Sequence, residues 1–134
     1  MRKKSLPALK KKCQDQFNKM IRLRDRIDES CFKCISCGQI KDLSQMHAGH
    51  YYNVGQHDGL RFDEDNCHGQ CNYCNTFLHG NLIEYTKNLP LKIGQKRFDA
   101  LQIRAGYYKR NGHKWHRFDI EQLIQQFEAQ IKNL

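Results

Sequence analysis

The sequence predicts an α+β fold in one compact domain, a small ββα unit stapled by a metal and wrapped by helices. Three observations predict it. Two Cys-x-x-Cys pairs, Cys34–Cys37 and Cys71–Cys74, offer four thiolates at the spacing of a tetrahedral zinc site. The stretch that holds these pairs is rich in Cys, His, Gly and Asn and short on helical periodicity. On either side of it, apolar residues recur at three- and four-residue steps, as the buried face of a helix requires.

The elements follow in order. Residues 1–12 hold six Lys/Arg, so the extreme N-terminus is expected to fray. Ser5 is placed to cap a helix with Pro7 in its first turn. Leu9, Cys13, Phe17, Met20, Ile21 and Ile27 form its apolar face, and the helix is expected to end near Ser30. The other face (Lys10, Lys11, Lys19, Arg22, Arg26) is either simply solvated or tracks phosphates. Next come a knuckle at 34–38, a strand around Leu43–Ala48, and an irregular loop through Asn53-Val54-Gly55 and Asp58-Gly59. A second strand is expected near Cys67–Gln70, then a helix from about Asn72 to Leu78 that Gly80 stops. Residues 82–105 read as two short helices divided at Pro90, using Leu82, Ile83, Tyr85 and Leu89, then Phe98, Leu101 and Ile103. Gly106–Phe118 reads as a loop of alternating rings and cations. Asp119 with Gln122 signals the start of a last helix, buried along Ile120, Leu123, Ile124, Phe127 and Ile131. The parts are thus a basic helical region 1–30, a zinc-bound core 31–81 and a helical region 82–134.

Bulk properties narrow the partners. The 134 residues carry 23 Lys+Arg against 14 Asp+Glu, net +9 with a pI near 9.3, which favours a polyanion, and nucleic acid before others. No run is long and apolar enough to span a bilayer, and no apolar stretch follows Met1-Arg2-Lys3-Lys4 as in a signal peptide. Neither a membrane nor a small-molecule substrate is therefore expected. Seven cysteines, four of them at metal spacing, point to a reducing intracellular compartment rather than a disulfide framework. A hydrophobic content of 39% makes a small core that gains from a structural metal.

The candidate chemistry begins with the sulfurs. The 33-residue gap between the pairs exceeds that of a simple zinc ribbon, so an insert sits between the knuckles, and it holds the histidines. Cys31 and Cys34 also have Cys-x-x-Cys spacing, but Cys37-Gly38 has the turn glycine a knuckle needs; Cys13, Cys31 and Cys67 are read as core or spare thiols. Unrelated thiols or a redox dithiol are the alternatives. Phosphodiester hydrolysis needs a base for water and a divalent cation at the phosphate and leaving oxygen. His50, at a strand end, suits the base, and Asn66 across the hairpin could fix its ring by a hydrogen bond. Asn75 opens toward the same spot from the first turns of the helix, and His47 is placed to complete the cation site, with His79 a second candidate. Arg61 is read as a phosphate contact against an ion pair with Asp63 or Glu64, and His68 as a phosphate contact or a brace of the hairpin. Lys109, Arg110 and Lys114 are read as DNA-binding, with Tyr107 and Trp115 either stacking on bases or packing the last helix.

These residues resemble a family. Cys34-Ile35-Ser36-Cys37-Gly38, Ala48-Gly49-His50-Tyr51, Leu60-Arg61-Phe62, Asn66, Gln70-Cys71, Cys74-Asn75 and Gly80-Asn81 look like the NinG/Rap proteins of lambdoid phages. The resemblance covers roughly residues 20–134, running on through Tyr85, Ile93-Gly94 and His113-Lys114-Trp115. It implies a recombination endonuclease that cuts branched DNA, including Holliday junctions and D-loops. The zinc-clamped ββα-metal core is similar to HNH, or His-Me finger, nucleases. The Cys71-Asn72-x-Cys74-Asn75 pattern is also similar to phage recombination endonuclease VII. Carried over, His50 is the general base, Asn66 its positioner and Asn75 a metal ligand, with 5′-phosphate products. A homodimer is expected for two symmetric nicks, with the N-terminal helix either the dimer contact or packed on its own core. A phage or prophage origin and the cytoplasm of a bacterial host follow from the resemblance. Two positions depart from the pattern. Gly49 stands where HNH enzymes often have an acidic residue or His, and His47 stands where the family can carry Asp, which shifts the cation preference from magnesium toward manganese. An extra N-terminal metal-binding segment known in the family is expected to be missing. The competing functions are a sequence-specific HNH nuclease, a zinc module that only binds nucleic acid, and a thiol–disulfide protein.

Overall fold

The computed structural model describes residues 3–134, so the fraying expected at residues 1 and 2 lies outside the described residues. Helix α1 spans Leu6–Asp25; the Ser5 side chain accepts from Ala8 N, and Pro7 sits in the first turn, as expected. Leu9, Cys13, Phe17, Met20 and Ile21 are its buried face. The helix stops five residues before Ser30, because Asp28 captures the chain. Its Oδ1 accepts from Ser30 N at 2.7 Å and Cys31 N at 3.1 Å, a local turn that competes with helix. Ile27, expected on the apolar face, is left exposed beyond the helix end.

Two antiparallel hairpins follow. Strands β1 (Cys31–Lys33) and β2 (Ile40–Asp42), not expected from the sequence, flank the knuckle at 34–38. Gly38 closes that knuckle at φ +74°, a left-handed conformation that favours glycine, and its N–H reaches Cys34 O at 3.0 Å. Strand β3 covers Met46–His50, displaced from the expected Leu43–Ala48 because a 3-10 turn occupies Leu43–Gln45 under an Asp42 cap. It pairs with β4 (Cys67–Cys71) in the register Met46↔Cys71 through His50↔Cys67. The chain then makes a π-helical turn over Tyr73–Phe77, where a regular helix from Asn72 to Leu78 was expected. Gly80 (φ +96°) ends it, flanked by left-handed His79 and Asn81.

Helix α2 (Leu82–Ile93) runs straight through Pro90; the break falls at Gly94 (φ +88°) instead. Helix α3 (Gln95–Asn111) continues through the first six residues of the expected loop. Helix α4 (Arg117–Lys132) is capped at His116, three residues before the expected Asp119, which instead lies in the first turn. Ile103, Leu82 and Ile83, expected to be buried, are exposed. The α+β class is therefore as predicted: four α-helices around two small sheets.

Three apolar clusters hold these elements. The first joins α1, α4 and the hairpin through Phe17, Phe62, Cys67, Ile120 and Phe127. The second joins α2 and α3 to the β3–β4 loop through Leu60, Tyr85, Leu89 and Leu101. The third surrounds the cysteines with Phe32 and Met46. The apolar stripe of α1 packs on its own α4, the second of the two roles foreseen for it. Among the described residues, no helix is long and apolar enough to cross a membrane.

Candidate functional site

The two knuckles converge. The sulfurs of Cys34, Cys37, Cys71 and Cys74 all lie within 4.8 Å of one another, and Cys37 and Cys71 are 4.0 Å apart. A tetrahedral zinc with bonds of about 2.3 Å separates its sulfurs by about 3.8 Å, so the four cysteines can hold a zinc ion. Backbone N–H groups point at the sulfurs: Cys71 N lies 3.3 Å from Cys34 Sγ and Cys74 N lies 3.4 Å from Cys71 Sγ. Asn81 Nδ2 donates to Cys74 Sγ at 3.4 Å, a contact that depends on the left-handed turn at 79–81. Burial acts to raise the Cys34 thiol, yet the N–H groups of Cys71, Cys37 and Ser36 bring it below its ordinary value. Burial and sulfur neighbours raise Cys37 and Cys74, the spread that crowded thiols show until a cation neutralises them. Cys31 stays outside this cluster, with its sulfur near Asp28, so the choice of Cys34 with Cys37 stands. Cys13 and Cys67 are core thiols; burial pushes Cys13 up to about 12 and raises Cys67 likewise.

His50 ends β3 with its ring stacked on Phe17, centroids 6.2 Å apart. Its Nε2 lies 2.9 Å from Arg61 O. A carbonyl only accepts, so Nε2 carries the hydrogen and Nδ1 keeps the lone pair. Burial lowers its pKa below the ordinary value against the pull of that carbonyl, and the Arg61 charge adds to the lowering. The ring is thus held neutral at neutral pH. Asn66 does not hold it: among the described residues no hydrogen bond links Asn66 to the His50 ring. The fully buried Asn66 carboxamide instead clasps the loop, accepting from Tyr52 N at 2.8 Å and donating to Tyr52 O at 3.0 Å and Leu60 O at 3.4 Å. That loop delivers Arg61, so Asn66 reaches His50 only through the backbone.

His47 and Asn75 meet, with Asn75 Nδ2 3.1 Å from His47 Nδ1. The π-helical turn that follows Cys74 brings Asn75 to the strand. His79 sits beyond that turn in a left-handed conformation and is exposed, so the one-helical-turn relation to Asn75 on which its candidacy rested is absent. Among the described residues no carboxylate joins His47 in a group of three metal-ligating side chains.

The expected DNA contacts divide. The Arg61 guanidinium pairs with Asp58 at 2.7 Å, not with Asp63 or Glu64, and reaches Gln14 Oε1 at 3.5 Å. A phosphate would have to displace Asp58 from it. Lys109 and Arg110 lie in the last turn of α3 and Lys114 in the extended segment after it; all three are exposed and make no ion pair among the described residues. Trp115 packs against Phe62 and donates to Asp58 O at 3.2 Å, so it braces α4, whereas Tyr107 is exposed.

Sequence reasoning missed a buried charge cluster. Asp25, at the end of α1, accepts from Gly69 N at 2.7 Å and pairs with Arg24 at 2.7 Å and Lys92 at 2.8 Å. Burial alone would raise Asp25, but Arg24 and Lys92 hold it well below the usual carboxylate range. His68 Nε2–H donates to Asp65 O at 2.8 Å, and its Nδ1 accepts from Arg24 at 3.2 Å, so His68 braces the hairpin. Burial and the Lys92 and Arg24 charges push its pKa down to about 3. Arg24 and Asp25 lie 44 residues from His68 and Gly69 respectively, and no local pattern announces the cluster.

Fold and site together define a mixed α+β protein whose hairpin is anchored by a four-cysteine centre and carries a His/Asn face. All of residues 1–134 match the family model described as Bacteriophage Lambda NinG protein, and the chain belongs to the NinG family. It is 35% identical over 124 residues to Protein ninG of Escherichia phage 933W, covering 92% of this chain and 57% of that protein. It is 34% identical over 124 residues to Protein ninG of Escherichia phage lambda, covering 92% of this chain and 56% of that one. Protein ninG of Salmonella phage P22 is 35% identical over 124 residues, with 56% of its length covered. The chain therefore spans a little over half the length of these relatives. No solved structure matches it.

Proposed function

We propose that this chain is a divalent-cation-dependent endodeoxyribonuclease of the HNH, or His-Me finger, type that nicks branched recombination intermediates. The observation that carries the reading is the His47–Asn75 contact on the strand that ends in His50. His47 and His50 lie three residues apart on β3, about 10 Å along the strand and on opposite faces of it. His50 is the last residue of the strand, so a phosphate is shared by the base and the cation-holding pair only around that end. His50, neutral and with its lone pair on Nδ1, accepts the proton of the attacking water. Arg61 O fixes its tautomer, and Asn66 acts as a positioning residue by clasping the loop that carries Arg61. His47 and Asn75 would hold a divalent cation once the Asn75 Nδ2–His47 Nδ1 contact, which occupies the ring lone pair, gives way; the cation would supply neutralising charge at the phosphate and the departing 3′-oxygen. Two neutral donors without a carboxylate favour manganese over magnesium. The products carry 5′-phosphate ends.

Lys109, Arg110 and Lys114 hold DNA phosphates in this reading, Arg61 braces the site, and a homodimer makes the two nicks of a four-way junction. The setting is the cytoplasm of a phage-infected bacterium. The test compares a four-way junction with a linear duplex of the same sequence, with manganese and with magnesium. Nicking at least tenfold faster on the junction is expected. Equal or faster cutting of the linear duplex would assign a sequence-specific nuclease instead, and cutting of neither would remove the enzyme reading.

A further inference from the structure

Building on His50 as the base, we infer that Gln70 is a positioning residue that ties the cysteine centre to Gly49 and thereby sets the place of the His50 ring. Gln70 is fully buried on β4, directly across the hairpin from His47. Its Nε2 donates to Ser36 Oγ at 2.9 Å and to Gly80 O at 2.6 Å. Ser36 lies inside the first knuckle and Gly80 closes the turn after the second, so one carboxamide spans both halves of the sulfur site. Its Oε1 is the one buried side-chain polar atom without a hydrogen-bond partner among the described residues.

That oxygen is aimed at Gly49. A Cβ at position 49 would lie 2.1 Å from Gln70 Oε1 and 2.9 Å from Gln70 Cβ. A Cβ stands about 1.5 Å from its Cα, so Oε1 is within about 3.6 Å of the Gly49 Cα, the range of a Cα–H···O contact. Gly49 is not among the positive-φ residues, so its glycine is required for space rather than for backbone conformation. The Gly49 carbonyl is held as well, accepting from the buried Tyr85 hydroxyl at 2.7 Å. The residue before His50 is thus gripped by its Cα and its carbonyl, and the first grip leads straight to the cysteine knuckles. Tension or slack in the sulfur centre reaches the His50 ring through Gln70.

The test is a double-mutant cycle of Gly49→Ala, Gln70→Ala and the pair, read by zinc content, the NMR signals of the His50 ring and junction cleavage. Gly49→Ala should move the His50 ring signals, leave those of His113 in place, keep zinc, and lower cleavage at least tenfold. In the Gln70→Ala background the Oε1 and Cδ clashes are gone and only the Cβ contact at 2.9 Å remains, so the same change should cost at least threefold less than in the parent. Equal losses in both backgrounds, or unmoved His50 signals in Gly49→Ala, overturn the proposal. Should either alanine variant fail to take up zinc, Ser36→Ala, which removes one of the two acceptors that hold Gln70 Nε2, decides: His50 ring signals that shift with zinc retained support the tie, and unmoved signals refute it. The ring signals need no activity. A parent chain that never cuts DNA sinks the nuclease reading while the cycle still decides the clamp.

Discussion

The β3–β4 hairpin serves two regions that are built differently. Around the cysteines, four sulfurs crowd within 4.8 Å, three of the four residues are buried, and backbone N–H groups already face the sulfurs. Around His47, His50 and Asn75 all three residues are only partly buried, and just two of them, His47 and Asn75, meet as a donor pair. A closed four-ligand set is what a structural metal needs; a shallow, incomplete one leaves positions for water and substrate. The difference teaches that one hairpin carries a complete four-sulfur set beside a sparser His/Asn pair.

The largest expected effect comes from breaking the closed region. Replacing Cys71 with Ser, or chelating the metal, should abolish cooperative unfolding, since a structural zinc contributes on the order of 10 kcal/mol or more to folding. Calorimetry with zinc quantification checks it; a sharp transition in metal-free protein would contradict a structural role. Breaking the open region should do the reverse. His50→Ala should cost about 10²–10⁴ in cleavage rate while lowering stability by only about 1–3 kcal/mol, from the lost Arg61 O partner and Phe17 stacking.

Asn66→Ala lies between the two. It leaves Tyr52 N and O without their partner in a partly buried loop, a loss of about 1–3 kcal/mol, seen as a lower denaturation midpoint together with slower cleavage. A smaller effect tests the charge cluster at the root of the hairpin. Folded His68 titrates near 3 rather than at its ordinary 6.5, so the unfolded chain takes up the proton first as pH falls. Its contribution is complete above pH 6.5 and is lost on acidification below it, at up to about 1.4 kcal/mol per pH unit. The lowered pKa of His50 acts with the same sign. Denaturation midpoints between pH 7.5 and 5 should therefore fall, and less steeply in His68→Gln. The smallest effect is expected for Cys31→Ser, which should keep the full zinc content and change stability by no more than about 0.5 kcal/mol.

The two regions also differed in how far the sequence disclosed them. The sulfur centre was legible to the residue, because a knuckle is a local motif and Gly38 marks its turn. So were the Ser5 cap and the pairing of two strands with His47 on the first, although that strand runs on to His50 rather than ending near Ala48. His47 and Asn75 were rightly brought together, but by a π-helical turn that no periodicity announces. The partner of the His50 ring was misread because Arg61 O is a backbone atom, and backbone carbonyls leave no mark in a sequence. Pro90 misled for a different reason. It sits in the last part of α2, on a helix anchored by Tyr85 and Leu89, and packing overrides the lost hydrogen bond. The Arg24–Asp25–Lys92–His68 cluster was invisible because its members come from distant segments.

One paired experiment addresses the account at its centre: zinc-loaded wild-type chain and His50→Ala, each assayed for binding and for nicking of the same four-way junction in manganese. The account predicts equal zinc content, equal binding within about twofold, and nicking by the wild type alone. Nicking by His50→Ala at the wild-type rate would contradict it, and so would a wild type that binds the junction and never cuts.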